Sequence, residues 1–257
     1  MSARARLERD GASREHQDYI VPASTLETVL QTQKVVVSIG GSILVPGNND
    51  SEFISKLADM LKGIKDEVQI AVVCGGGKIA RIYTEIASEL GGDTYKQDIL
   101  GIEATRMNAQ LLALALGDMP DRVSEDPVAT ARASVPGKVV VMGGTEPGHT
   151  TDAVATMVAR EMKADRVVNA TSVDFVYTDD PRKNPDAKKI LNMTIKELGD
   201  VVYKEHGAGK SSVFDPLGVK IAEENNIDIL MVNGRNLEAL RDAILGKEFQ
   251  GTFVNSH

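Results

Sequence analysis

Short apolar runs that end in glycines alternate with stretches of helical spacing through most of the chain. The run VVVM at Val139–Met142 is followed by two glycines. It is too short and too β-branched for a helix, so it predicts a strand buried on both faces, as in a parallel sheet. Lys34–Ile39 and residues 68–74 follow the same plan, and each ends in a glycine cluster. We therefore expect three strands of one sheet whose glycine loops meet at one edge.

Apolar residues at helical spacing follow these loops. The clearest stripe runs through residues 79–90, and another begins at Val154. Strands that alternate with helices predict an α/β fold with a mainly parallel sheet and right-handed crossovers. The other predicted helices are 54–61, 102–116, 126–134, 214–224 and 237–245, and the other predicted strands are 166–170 and 227–232, with an extended segment at 173–177 and an edge strand at 252–254.

The length fits one large α/β domain or two small lobes, and the strand and helix pattern places this body at 34–257, after a charged, flexible extension at 1–33. The 257 residues are 42% hydrophobic, which is enough for a full core. No apolar run approaches the roughly 20 residues that span a bilayer, and a single cysteine suits a reducing compartment. We therefore expect a cytoplasmic protein that does not enter a membrane. The net charge of −8 argues against a nucleic-acid partner, but a locally basic site can still bind a small anion.

The loop after Val139–Met142 holds the candidate chemistry. Thr150, Thr151 and Asp152 fall at the start of the next helix, where free N–H groups favour an anion. Three glycine loops at one edge suggest a ligand with several phosphates or oxyanions. Asp152 is then either a partner of the helix dipole or a group that orients cations around a transferring phosphoryl group. His149 either contacts a substrate oxygen or caps the turn.

Two other nucleotide-binding motifs fit the sequence less well. Residues 75–80 match the dinucleotide fingerprint G-x-G-x-x-A, but Lys78 and Arg81 suit phosphates more than a ribose diol. Residues 207–211 read GAGKS, yet they lack the first glycine of a P-loop. No two histidines are spaced as metal ligands, and Cys74 reads as a small core residue. The polar side chains that follow the strand at 166–170, and that form either a turn or a nucleobase or ribose site, are Asp174, Tyr177 and Asp180.

Together these motifs resemble the amino-acid-kinase family, and in particular its archaeal-type uridylate (UMP) kinases. The resemblance covers about 34–254. PGHTTDA in the third loop is typical of the nucleotide branch, and GGGK in the second loop lacks the histidine of the isopentenyl-phosphate branch. The matching segments are VVVSIGGSILVP (35–46), VVCGGGKIARIY (72–83), KQDILGI (96–102), VMGGTEPGHTTDAVA (141–155), TSVDFVYTDDP (171–181) and SSVFDPL (211–217).

The resemblance implies a three-layer αβα sandwich that transfers the ATP γ-phosphoryl group to UMP with Mg²⁺, giving UDP and ADP in pyrimidine nucleotide biosynthesis. It also implies a homohexamer, with the UMP side at about 34–163 and the ATP side at about 164–257. Arg81 and Asp152 are the implied catalytic residues, and no metal ligand is assigned. The implied ATP-binding residues are Gly40, Gly41, Ser42, Gly77, Arg81, Thr171, Ser172, Tyr177 and Asp180. The implied UMP-binding residues are Gly76, Asp98, Gly144, Thr145, Glu146, Pro147, Gly148, His149 and Thr150.

Three positions depart from the family pattern: Ser38 replaces a lysine that many relatives carry, Ser172 replaces an asparagine, and Phe175 replaces a glycine. Lys34, Lys78 and Lys210 are the candidates to supply the missing charge. Because of these departures, a nucleotide-binding storage or sensor protein without kinase activity is an alternative. An NAD-dependent oxidoreductase, based on residues 75–80, is another.

Overall fold

The computed structural model describes residues 32–179, 183–206 and 213–256. The predicted extension up to residue 31, Asp180, and the GAGKS segment with Lys210 lie outside these residues. The strands are β1 (Lys34–Ile39), β2 (Gln69–Cys74), β3 (Val139–Met142), β4 (Arg166–Thr171), β5 (Val176–Tyr177), β6 (Lys189–Ile190), β7 (Asn192–Thr194), β8 (Asp228–Asn233) and β9 (Gly251–Asn255). The helices are α1 (Gly41–Leu44), α2 (Ser51–Ile64), α3 (Gly77–Glu89), α4 (Thr94–Leu116), α5 (Pro127–Ala133), α6 (Thr151–Met162), α7 (Ile195–His206), α8 (Pro216–Asn225) and α9 (Leu237–Leu245).

The main sheet has seven strands in the order β3-β2-β1-β4-β8-β9-β7. Pairing is parallel from β3 through β8, which confirms the predicted mainly parallel sheet, while β9 runs antiparallel to β8. The predicted edge position of residues 252–254 is wrong, because β7 pairs with the outer side of β9. β3 lies at the other end of the sheet, yet residues 140–142 are buried.

Both faces of the sheet are covered by helices. Alternate side chains of a strand project to opposite sides, so Val35 and Val37 pack with α2, α4 and α9 while Val36 packs with α6, α7 and α8. The predicted three-layer αβα sandwich is therefore confirmed. Of the described helices, none is both long enough and apolar enough to cross a membrane.

Besides the one-turn helix α1, which was expected to be part of a glycine loop, two longer helices differ from the sequence prediction. Helix α4 begins at Thr94 rather than at residue 102, because Asp93 caps it by accepting a hydrogen bond from the Lys96 amide at 3.0 Å. Helix α7 was missed altogether. Its signal is a capping box, in which Glu197 accepts the Thr194 amide at 2.7 Å and Thr194 Oγ1 accepts the Glu197 amide at 3.3 Å.

The apolar stripe at 79–90 lies on a helix, as predicted, but much of it faces away from the core. Ile82, Tyr83 and Leu90 are 42%, 47% and 82% exposed. Exposed apolar side chains of α4, including Met107, continue this surface. The outer side of α3 and α4 is thus an apolar surface that the described part of the chain leaves open.

The order of the strands creates a crevice at their carboxyl ends. From β1 the chain proceeds to β2 and β3 on one side, and it then returns to β4 on the other side of β1. Ligands bind at such a reversal of strand order in open α/β sheets. The glycine loops after β1, β2 and β3 lie at this edge, as the sequence pattern predicts.

Candidate active site

The first two glycine loops touch each other through their backbones. A Cβ added at Gly41 would overlap the amide nitrogen of Gly77 and the carbonyl oxygen of Gly75. Gly77 also has a φ of +62°, which side chains other than glycine rarely adopt. Glycine at these positions therefore lets α1 and α3 begin side by side, and the first amides of α3 have no partner within that helix.

Helix α4 fixes the second loop from the side. The buried Asn108 amide donates to the carbonyl oxygens of Gly75 at 2.7 Å and Gly76 at 3.3 Å. Both carbonyls are thereby held in place at the start of α3. Sequence reasoning missed Asn108, whose only signal is a polar residue within an alanine-rich and leucine-rich helix.

The same helix holds the third loop at its first glycines. Thr105 Oγ1 accepts the Gly144 amide at 2.5 Å, and Arg106 donates to the carbonyl oxygens of Gly144 at 3.3 Å and Thr145 at 3.0 Å. A Cβ at Gly143 would lie 2.8 Å from Arg106 Cα, so the loop can approach the helix only with glycine there. Sequence reasoning missed Thr105 and Arg106 as well.

The far end of the third loop is attached to the first turn of α4. Asp98 Oδ2 accepts the Gly148 amide at 3.0 Å, and Gly148 has a φ of +88°. Within the loop, His149 Nδ1 lies 3.1 Å from Thr145 Oγ1. Asp98 and the residues predicted at 144–150 thus form one connected group, and the His149 ring bonds to its own loop.

Asp152 lies where α6 begins, beside the end of β1. Its Oδ1 accepts a hydrogen bond from Ser38 Oγ at 2.8 Å, and Asn169 of β4 is a second hydrogen-bond partner. Burial raises the pKa of the Asp152 carboxyl from 3.8 to about 6; the charge of Asp215 adds to this increase, while the two hydrogen bonds oppose it. Ser38, where a lysine was expected from the resemblance, therefore interacts directly with the predicted catalytic aspartate.

Asp215 provides a second carboxylate next to the third loop. Its Oδ2 accepts a hydrogen bond from Thr150 Oγ1 at 2.8 Å. Its Oδ1 caps α8 by accepting the amides of Leu217 at 2.8 Å and Gly218 at 3.1 Å. Sequence analysis did not assign Asp215 to the site, although Asp-Pro is a typical start for a helix and falls in the quoted SSVFDPL segment.

Basic side chains reach this edge from α3. Arg81 Nη2 lies 3.2 Å from Ser42 Oγ, which places the predicted phosphate-binding arginine at the first glycine loop. The Lys78 side chain packs against Gly47, just after α1. Lys34 cannot replace the missing lysine, because it starts β1 at the opposite edge of the sheet, and its Nζ donates to the Met162 carbonyl at 3.1 Å.

The predicted ATP end lies past the carboxyl ends of β4 and β8. Thr171 Oγ1 accepts the Val173 amide at 3.2 Å, and Asn233 Nδ2 donates to Asp174 Oδ1 at 2.9 Å. The half-buried Tyr177 follows on β5, while Ser172 is exposed. These contacts form a turn after β4 and attach it to the end of β8.

The oxygen donors near α6 suit a hard cation. Mg²⁺ is usually held by one or two carboxylates together with substrate phosphates, and Asp152 and Asp215 offer that set. Among the described residues, no cluster of three or more histidine, cysteine or acidic side chains could hold a metal. The two carboxylates therefore suit an ion that is shared with phosphates.

Cys74 is buried, as the prediction of a small core residue expected. Burial raises the pKa of its thiol to about 12, so the thiol stays protonated and takes no part in the site.

Comparison with known proteins points to one family. The model of the "Amino acid kinase family" matches residues 33–233. A uridylate kinase from Pyrococcus abyssi is 44% identical over 223 residues, which cover 86% of this chain and 99% of that protein. A uridylate kinase from Methanocaldococcus jannaschii is 45% identical over 213 residues, covering 80% and 93%.

Solved structures agree with this result. The uridylate kinase from Archaeoglobus fulgidus superimposes with a TM-score of 0.77 at 39% identity, covering 86% of this chain and 100% of that one. The UMP kinase from Bacillus anthracis has a TM-score of 0.72 at 24% identity, covering 87% and 96%, and shares the fold. These similar proteins are uridylate and UMP kinases, which are phosphotransferases, so the NAD-dependent alternative is not retained.

Proposed function

Since this chain belongs to the amino acid kinase family, we propose that it transfers the γ-phosphoryl group of ATP to UMP, giving UDP and ADP. The observation that carries the proposal is the attachment of two glycine loops to one helix, with Asp152 bonded to Ser38 near the end of the strand that leads into the other loop. The named relatives are uridylate kinases matched over nearly their whole length, which supports UMP as the acceptor.

The geometry supports a division of labour across the sheet. The proposed acceptor residues adjoin β2 and β3, where α4 contributes Asp98 and holds Gly76 and the segment 144–150. The proposed residues for the base end of the donor adjoin β4 and β8. Between them, Asp152 and the first glycine loop adjoin β1. An acceptor phosphate oxygen would attack the γ-phosphorus in line as the bond to the β-phosphate oxygen breaks. Because the acceptor is already ionised, the protein needs to align two anions and offset their charge rather than supply a strong base.

We assign individual roles on this basis. Arg81 and the first amides of α3 would bind phosphoryl oxygens and stabilise the charge that spreads over them in the transition state. Asp152 and Asp215 would hold Mg²⁺ together with the phosphates. The ion would neutralise phosphate charge and orient the donor. Ser38 and Asn169 keep the Asp152 carboxylate oriented toward the transfer point.

A substrate panel tests the proposal. The full chain is incubated with ATP and Mg²⁺ and offered UMP, CMP, GMP, dTMP and isopentenyl phosphate separately, and both ADP and the phosphorylated product are measured. We expect turnover with UMP above all others. Preference for another acceptor would refute the UMP assignment while leaving the donor site intact.

The alternative of a nucleotide-binding protein without kinase activity is not supported by the named relatives, which are uridylate kinases. The observation in its favour is that Ser38, an uncharged residue, occupies the place of the expected lysine and bonds to Asp152. It predicts ATP binding by calorimetry without ADP release for any acceptor. Ser38→Lys would then restore turnover only if the missing charge is the cause.

We also propose that the protein is a cytoplasmic homohexamer that serves pyrimidine nucleotide biosynthesis. The exposed apolar side of α3 and α4 supports assembly, because a patch of this kind is typical of contacts between chains. Light scattering coupled to size exclusion tests the mass. Changing Ile86 to Glu should then release smaller species if this surface is an interface.

A further inference from the structure

A buried aromatic side chain lies in the loop that leads from β4 to β5. Phe175 is only 7% exposed, although its neighbours Ser172 and Val173 are exposed. Its φ is not positive, so the backbone at this position accepts a side chain without strain. The ring therefore replaces the glycine expected from the resemblance at no conformational cost.

Two side chains contact this ring. The Lys189 ammonium lies over it, 4.7 Å from the ring centroid, a distance typical of a cation–π interaction. The Tyr177 ring meets it edge to face, with the centroids 6.5 Å apart and the planes at 90°. Phe175 thus connects a lysine of β6 to a tyrosine of β5.

The backbone on both sides of Phe175 is fixed to the main sheet. Before it, Asp174 accepts the side-chain amide of Asn233 at 2.9 Å. After it, the Val176 amide donates to Thr252 Oγ1 at 2.9 Å, and Thr252 itself donates to the Ile190 carbonyl at 2.5 Å. Because the backbone is held at these points, the buried Phe175 ring stays against Lys189 and Tyr177.

We propose that Phe175 and Lys189 are positioning residues for the donor nucleotide, because together they orient the Tyr177 ring at the base end of the donor site. The proposal rests on the proposed function, in which Tyr177 lies on the ATP side. Phe175 is too buried to contact a ligand itself, so it acts through Tyr177. The UMP side lies across the sheet over β2 and β3 and should not respond.

The experiment compares four full-length variants. Lys189→Met removes the charge over the ring, and Lys188→Met is its control, since that neighbour is also exposed and no ring contact involves it within the described residues. Phe175→Leu keeps an apolar side chain but removes the ring, and the double variant combines Phe175→Leu with Lys189→Met. The readouts are KM for ATP and for UMP, kcat, and the Kd of ATP measured by calorimetry without UMP.

We expect Lys189→Met and Phe175→Leu each to raise KM and Kd for ATP about 3-fold, with KM for UMP and the Lys188→Met control unchanged. In the double variant the increase should stay near that of Phe175→Leu alone, because the lysine acts through the ring. Unchanged ATP affinity, equal effects on ATP and UMP, or fully multiplicative effects would each overturn the proposal. ATP binding is measured without the acceptor, so absence of UMP kinase activity would refute the proposed function and leave this test intact.

Discussion

Replacing Asp152 with asparagine should lower activity and raise stability at the same time. The carboxyl group is held at the proposed transfer point by Ser38 and Asn169, in surroundings where its charged form is disfavoured. Asparagine has the same shape and can still accept the Ser38 hydrogen bond, but it carries no charge. The substitution therefore removes the charge and leaves the packing in place.

The size of the stability change follows from the pKa. A carboxyl whose pKa rises from 3.8 to about 6 on folding ionises more readily in the unfolded chain. Asp152 therefore does not lower the free energy of unfolding well below pH 3.8, and its destabilising effect grows as the pH rises toward about 6. Above about pH 6 the effect stays constant at about 3 kcal/mol, because each unit of pKa shift corresponds to about 1.4 kcal/mol. Partial exposure of Asp152 allows solvent to reduce the cost, so we expect a gain of about 1–3 kcal/mol for the variant at pH 7.

Urea unfolding of wild type and Asp152→Asn between pH 4 and pH 8 tests the stability part. The gain should be largest at pH 7–8 and small near pH 4, while exposed Asp186→Asn should change stability by less than about 0.5 kcal/mol. Turnover of the variant should fall about 100-fold or more. In the wild type, kcat/KM should decline below about pH 6 as Asp152 of the free enzyme takes up a proton. A variant that is less stable at pH 8 than at pH 4, relative to wild type, would refute the reasoning.

Three further predictions address the glycine loops and Ser38. Gly41→Ala should destabilise the protein by more than about 2 kcal/mol in urea, because a Cβ there overlaps the second loop, whereas Gly63→Ala, in open space on α2, should stabilise it by about 0.5–1 kcal/mol. Ser38→Ala removes a hydrogen bond that lowers the Asp152 pKa, so the acid limb of the kcat/KM profile should move to higher pH; an unchanged profile would contradict the role given to Ser38. Arg106→Met should raise KM for UMP about 10-fold or more with KM for ATP within twofold, since Arg106 fixes the carbonyls of the third loop; equal effects on both substrates would argue against this.

Sequence patterns predicted the features that recur at fixed spacing. Runs such as Lys34–Ile39 identified the parallel strands, and the glycines that follow them located the edge where the site lies. The pattern did not predict that β7 pairs with the outer side of β9. Strands of 3 and 5 residues are too short for their periodicity to indicate which of them lies at the edge of the sheet. The pattern also does not show that much of the apolar stripe at 79–90 is exposed to solvent. The spacing of apolar residues is the same whether the rest of the chain or another molecule covers them.

The site residues divide in the same way. Asp152 and Thr150 were predictable because a helix start after a glycine loop is a local feature. Asp215 was missed because its contact with Thr150 joins residues 65 positions apart, and each reads locally as an ordinary helix cap. Lys34 was a reasonable candidate by distance along the chain, but it is the first of the six residues of β1, and the first glycine loop follows the last of them.

The proposed acceptor side was the hardest part of the site to predict from the sequence, and the contacts of helix α4 explain why. Asp98 and Thr105 are seven residues apart, so they lie on nearly the same side of the helix, and Asn108 is less than one turn further. From these positions the helix holds the second loop through Asn108 and both ends of the third loop through the other two. One rigid element therefore sets the distance between the two loops. That distance depends on polar residues scattered through a helix whose composition indicates only a hydrophobic core.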